Sequence, residues 1–120
     1  YNTDPMPPLR TEFHDNDDHS CTLQWVGSVE SKNCHLMWFF DSIETLLQHL
    51  IDVKANRLII DLSAADRVDS EALRRLFQAR QIFLRRNIRI ILRQPRAHLR
   101  RLLRIMQFDQ IFTVEEGGNA

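Results

Sequence analysis

Apolar positions along this chain follow two rhythms. In "CTLQWV" they alternate, with Cys21, Leu23 and Trp25 on one face and Thr22, Gln24 and Val26 on the other. That period of two predicts a half-buried strand. The mixed run "LRTEFH" precedes it across "DNDD", which is rich in turn formers, so the pair reads as a hairpin. Gly27 follows as a natural turn. "SVESKNCHLMWFF" comes next, and its very apolar second part fits either a strand or the first turns of a helix.

The second rhythm is helical. Ile43, Leu46, Leu47, Leu50 and Ile51 form one stripe behind Asp41, and Glu44 three residues on suggests a capping box. "KANR" breaks the pattern, and "LIIDL" is a continuous apolar run that predicts a strand covered on both faces. "SAADRV" reads as a loop. The helical period returns from Ser70, with Ala72, Leu73, Leu76, Phe77, Ala79, Phe83 and Leu84 on one side, and Asn87 is a plausible stop. "IRIIL" is another strand. Pro95 marks the start of a third helix, whose stripe is Leu99, Leu102, Leu103 and Met106. "QIFTV" reads as a last strand.

Strands alternating with helices predict parallel βαβ units, and the opening hairpin makes the sheet mixed. The fold expected is therefore a single α/β domain with helices mainly on one face of a mixed sheet. It is expected to span residues 9–114, with 1–8 as a linker or disordered N-terminus and 115–120 as a disordered tail.

Composition narrows the setting. The chain has 120 residues and a formal net charge of +0, a length that suits one domain. The zero hides an asymmetry. Residues 1–69 hold twelve acids against five bases, and residues 70–120 hold four acids against eleven arginines. Cys21 and Cys34 make no disulfide framework and no CxxC pair, which points to a reducing compartment, the cytoplasm. The polar, proline-bearing start is unlike a signal peptide, and apolar runs are too short for a membrane span, so no direct membrane insertion is expected.

The chemistry concentrates in "LIIDLSAADRVDSEALRRL". An apolar strand, a polar loop and an Asp-Ser pair at a helix start can be an ordinary N-cap or a site where charge is added. This stretch resembles the central segment of STAS domains, the fold shared by anti-sigma-factor antagonists and the cytoplasmic tails of sulfate-type anion transporters. The family pattern falls on Asp61, Leu62, Ser63, Val68, Asp69, Ser70, Glu71, Ala72 and Leu73. "IRIILRQPRAHLRRLLRIMQFDQIFTV" resembles the family's later strand, helix and closing strand. The pattern departs at Glu71, where many antagonists have Ser or Thr, and at Ala72, where many have Gly.

The resemblance implies a STAS-like, non-enzymatic regulatory module of a bacterial partner-switching pathway that controls transcription. It implies Ser70 as phospho-acceptor. Asp69, Glu71, Ser63, Arg67, Arg74, Gly27, Ser28 and Glu30 would contact partners. Those partners would be an anti-sigma factor that is also a serine kinase, and a phosphatase. The alternative is a transport-associated STAS domain, either a sulfate-type transporter's tail or a subunit of a lipid-transport ATPase, with Ser70 only a helix cap.

Other chemistry has less support. No pair among His14, His19, His35, His49 and His98 has a metal-binding spacing, so no metal site and no cofactor are expected. No Gly-rich phosphate loop or nucleophile elbow is present, and no catalytic residue is assigned. The arginines read first as the wet faces of two helices, next as a surface for an acidic protein. Nucleic acid is not expected, because no aromatics interleave with the basic stretch.

Overall fold

The computed structural model describes residues 9–116. The elements are β1 (Arg10–Asp15), β2 (Ser20–Val29), α1 (Ile43–Asp52), β3 (Arg57–Asp61), β4 (Ala65–Val68), α2 (Ser70–Leu84), β5 (Arg89–Arg93), α3 (Ala97–Ile105) and β6 (Thr113–Glu115). They form a six-stranded mixed sheet in the order β1-β2-β3-β5-β6, with β4 also paired to β2. β1 is antiparallel to β2, and every other pairing is parallel. Strand order advances in one direction from β2 to β6. Right-handed crossovers then put all three helices on the same face. Accordingly Leu46 and Leu50 of α1, Leu73 and Phe83 of α2, and Leu99 and Leu103 of α3 join one core with Leu23, Trp25, Leu58, Ile60, Ile90 and Leu92.

The other face carries no helix and is polar along its rim. One cross-strand row runs Glu12, Gln24, Asp61, Arg93 and Glu115. Arg93 Nε donates to Glu115 Oε1 at 2.9 Å within it. Ile59 and Ile91 lie side by side on this face and are still buried.

Helix ends follow local chemistry. Ser42, not Asp41, caps α1: its Oγ accepts from Thr45 N at 3.1 Å, so the Asp41–Glu44 capping box is not formed. At the end of α2, Asn87 takes φ 60°, Asn87 N donates to Leu84 O, and Ile88 N donates to Phe83 O. That is a Schellman closure with buried Ile88 on Phe83. Lys54 (φ 58°) closes α1 in the same way.

Several expectations are corrected. Gly27 does not end β2. It sits inside the strand at φ 100°, where the pairing with β4 shifts register, and the strand runs on to Val29. "SAADRV" is not all loop. Ala65 and Val68 are buried, and their strand continues along β2 where β3 stops. That long-range pairing is invisible in a four-residue window. "SVESKNCHLMWFF" gives no additional strand before α1. After Val29 it turns, makes a short 3₁₀ segment at Cys34–Leu36, and buries Met37 and Trp38. Trp25 Nε1 donates to Met37 O at 2.8 Å and fixes this irregular stretch against the core.

α3 starts at Ala97 rather than Pro95, and the last strand is Thr113–Glu115 rather than "QIFTV". Phe77, Leu84 and Met106 sit at the margins of their stripes and are exposed. β6 reaches one residue past the expected domain end. The expected linker at 1–8 and most of the expected tail lie outside the described residues.

Candidate functional site

Parallel strands bring their C-terminal ends to one edge, and α2 begins there. Asp69 is the N-cap of α2. Its Oδ1 accepts from Ala72 N at 3.0 Å and its Oδ2 accepts from Ser31 N at 2.9 Å. One carboxylate thus closes the helix end and pins the segment after β2 to it. Asp69 N also donates to Val29 O at 3.0 Å. Capping falls to Asp69, so Ser70 is the first helical residue and is not the cap that the alternative reading makes it. Ser70 is exposed. Its hydroxyl therefore stands at a helix N-terminus, beside unpaired N–H groups and about half a positive charge.

Glu71 is next to it but is not a free charge. Arg74 Nη2 donates to Glu71 Oε2 at 2.6 Å, and Arg75 Nε donates to the same oxygen at 3.1 Å. The hydrogen bond from Arg74, and then Arg75, hold the Glu71 carboxyl below its ordinary range. The negative charge that sequence alone places beside Ser70 is thus largely neutralised within the helix.

The remaining candidates divide. Glu30 bridges outward to Arg67 at 3.8 Å and Lys32 at 3.9 Å, next to the Asp69 clamp. Asn33 holds that loop: its Oδ1 accepts from Glu30 N and its Nδ2 donates to Ser28 O. Gly27 and Ser28 are buried, so they shape the loop from below and present no surface. The Ser28 Oγ has no hydrogen-bond partner among the described residues. Ser63 belongs to a separate group. Its Oγ donates to Asp61 Oδ1 at 2.7 Å, and its carbonyl accepts from Arg96 Nε at 3.1 Å. Arg96 continues to Asp66 Oδ1 at 2.8 Å. The structure therefore gathers Asp69, Ser70, Glu71, Arg74, Glu30 and Arg67 around one helix tip, and ties Ser63 to the start of α3.

The arginine-rich half is less of a free basic surface than its count suggests. Arg74, Arg75, Arg80, Arg93, Arg96 and Arg100 are each bonded to a carboxylate or a carbonyl of this chain.

One cluster escaped sequence reasoning. Asp15, Cys21 and His49 meet at the opposite edge of the sheet, from β1, β2 and α1. His49 Nε2 lies 2.8 Å from Asp15 Oδ1, and Cys21 Sγ lies 3.2 Å from the same oxygen. Hydrogen bonds from His49 and then Cys21 lower the Asp15 pKa. Burial, and then Asp15, push the Cys21 thiol up to about 12. Histidine spacing does not reveal this set, because it holds one histidine.

Residues 37–117 match the STAS domain family. Among solved structures, the fold is similar to an anti-sigma factor antagonist from Mycobacterium paratuberculosis. The TM-score is 0.67 and the identity 18%, covering 93% of this chain and 89% of that one. It is also similar to the anti-sigma factor antagonist SpoIIAA in its unphosphorylated form. There the TM-score is 0.66 and the identity 12%, covering 90% of this chain and 89% of that one. At these identities the likeness is one of fold. No curated protein matches the sequence.

Proposed function

We propose that this chain, which belongs to the STAS domain family, is an anti-sigma-factor antagonist whose docking is switched at Ser70. The observation that carries this reading is the division of labour at the α2 tip. Asp69 caps α2 through Oδ1 and clamps the loop at Ser31 through Oδ2, which leaves the exposed Ser70 hydroxyl with no structural duty at the helix end. A serine in that position can be modified without unmaking the fold. The phosphate it would carry adds about −1.5 to −2 charges and is tolerated at a helix N-terminus.

The switch is electrostatic. Unmodified, the tip is close to neutral, with Glu71 held by Arg74 and Arg75, and Glu30 near Arg67 and Lys32. Ser70 and Arg74 are four residues apart and share a helix face. A phosphate on Ser70 competes with Glu71 for Arg74 and leaves surplus negative charge on the docking surface. The partner is an anti-sigma factor that doubles as serine kinase, a phosphatase reverses the modification, and the chain itself supplies no catalytic group. The working compartment is the cytoplasm, where both partners and ATP reside. None of the helices among the described residues is long and apolar enough to cross a membrane.

The test pairs the chain with a candidate kinase from the same genome, Mg²⁺ and ATP. Intact mass should rise by one phosphate in the wild type and not in Ser70→Ala. Ser70→Ala should bind the kinase like wild type, and Ser70→Asp should bind at least tenfold more weakly, about 1.4 kcal/mol. Full-strength binding by Ser70→Asp, or phosphate gain by Ser70→Ala, overturns the assignment.

A further inference from the structure

The edge of the sheet opposite Ser70 carries a second arrangement with its own chemistry. Asp15 and Cys21 are directly opposed residues of the β1–β2 hairpin, on the face that packs against the helices. His49 reaches them from the last turn of α1. The three ligand atoms all lie within 4.8 Å of one another. We propose that Asp15, Cys21 and His49 form a divalent transition-metal site, with zinc as the preferred ion.

The donor set selects the ion. A thiolate, an imidazole and a carboxylate suit zinc, whereas magnesium and calcium take oxygen ligands. Ligands of a tetrahedral zinc, bound at about 2.0–2.3 Å, stand about 3.3–3.8 Å from each other. Here His49 Nε2 and Cys21 Sγ stand 2.8 Å and 3.2 Å from Asp15 Oδ1. The two contacts to Asp15 therefore widen by about 0.5 Å or less to admit the ion, and the His49–Cys21 separation, within 4.8 Å, closes toward the same range. Side-chain exposure of 50% for Asp15 and 30% for His49 gives room for that movement and for a water as fourth ligand.

Cys21 is the fixed point. It is fully buried in a strand whose other inward residues, Leu23 and Trp25, serve the core, yet its sulfur bonds a carboxylate. The His49 ring is positioned by Phe13, edge-on at a centroid distance of 5.4 Å, and by Phe40 at 5.2 Å. On binding, the Cys21 S–H bond breaks, a sulfur–metal bond forms and the proton passes to solvent. Asp15 exchanges two hydrogen bonds for the metal, and His49 binds through Nε2 once that nitrogen has given up the proton it donates to Asp15, the neutral ring then carrying its hydrogen on Nδ1. The ion then ties the hairpin to the C-terminal turn of α1.

The experiment is a cobalt(II) titration of the metal-free full chain, followed by zinc. We expect a thiolate-to-cobalt charge-transfer band that saturates at one equivalent and is removed by one equivalent of zinc. Cys34→Ser should keep the band, Cys21→Ser should lose it, and His49→Gln should weaken cobalt affinity more than tenfold. His49→Gln alters a partly exposed helix position, so it decides the matter even where Cys21→Ser fails to fold. Absence of the band at one equivalent, its persistence in Cys21→Ser, or unchanged affinity in His49→Gln overturns the proposal.

Discussion

The two edges of the sheet solve different problems with similar residues. At the C-terminal edge, Asp69 uses its carboxylate to close a helix and hold a loop, which leaves Ser70 exposed. At the N-terminal edge, Asp15 uses its carboxylate to gather a thiol and an imidazole. The first aspartate satisfies backbone donors and makes a rigid platform. The second satisfies side chains and makes a site whose members come from three elements. Both depend on β2, which runs from one edge to the other and pairs with β1, β3 and β4.

The most damaging way to test that dependence is to break β2 between the edges. Trp25 is fully buried, stacks edge-on near Trp38 and donates to Met37 O. Trp25→Ala should cost about 3–5 kcal/mol and release the irregular stretch that Trp25 fixes. Urea unfolding followed by circular dichroism gives the cost. Both edges should lose hydrogen-exchange protection together. Loss confined to one edge would show that the two do not share a frame.

Asp69→Ala should separate the edges. It removes a helix cap and a loop clamp at once, with an expected cost of about 1–2 kcal/mol. Exchange protection should fall at Ser31, Ala72 and the first turn of α2, while Cys21 and its neighbours in the hairpin stay protected. Equal loss at the hairpin would mean that the loop clamp stabilises the whole sheet.

The edges also differ in how much of each could be read from the chain. Most of the Ser70 tip lies within one contiguous stretch, residues 61–75, so its loop, cap and helix appear as a local pattern, while Glu30 and Ser31 join it from just after β2. What that pattern missed is local too in one case: the Glu71–Arg74–Arg75 clamp follows from i,i+3 and i,i+4 spacing on a helix, and was legible. The assignment of the cap to Asp69 rather than Ser70 was not legible, because either side chain serves an N-cap.

β4 was missed because its four residues become a strand only against Gly27–Val29. Gly27 was misplaced because a glycine that bends a strand looks like one that ends it. The Asp15–Cys21–His49 cluster had a partial signal. A hairpin connection of five residues, 16–20, sets Asp15 opposite Cys21. The approach of His49 depends on how α1 packs, which no spacing within a helix reveals.

The smallest effect distinguishes the edges by pH. Asp15, bonded first by His49, and Asp18, bonded first by Ser20 and then by Arg57, have lowered pKa values at the hairpin edge. Glu71, bonded first by Arg74, is lowered at the tip. A carboxyl whose folded pKa lies below its unfolded value binds protons more weakly when folded. Its contribution is complete above the unfolded pKa, about 4, and is lost as pH falls through the folded value. In metal-free buffer, the urea midpoint should hold from neutral pH to about 5 and decline below about 4.5. Two depressed groups sit at the hairpin and one at the tip. Asp15→Asn combined with Asp18→Asn should therefore flatten the acid limb more than Glu71→Gln does. All three carboxylates face solvent, so added salt should shrink each contribution. An acid limb of the same slope in both variants would place the acid-sensitive groups elsewhere and remove this distinction between the edges.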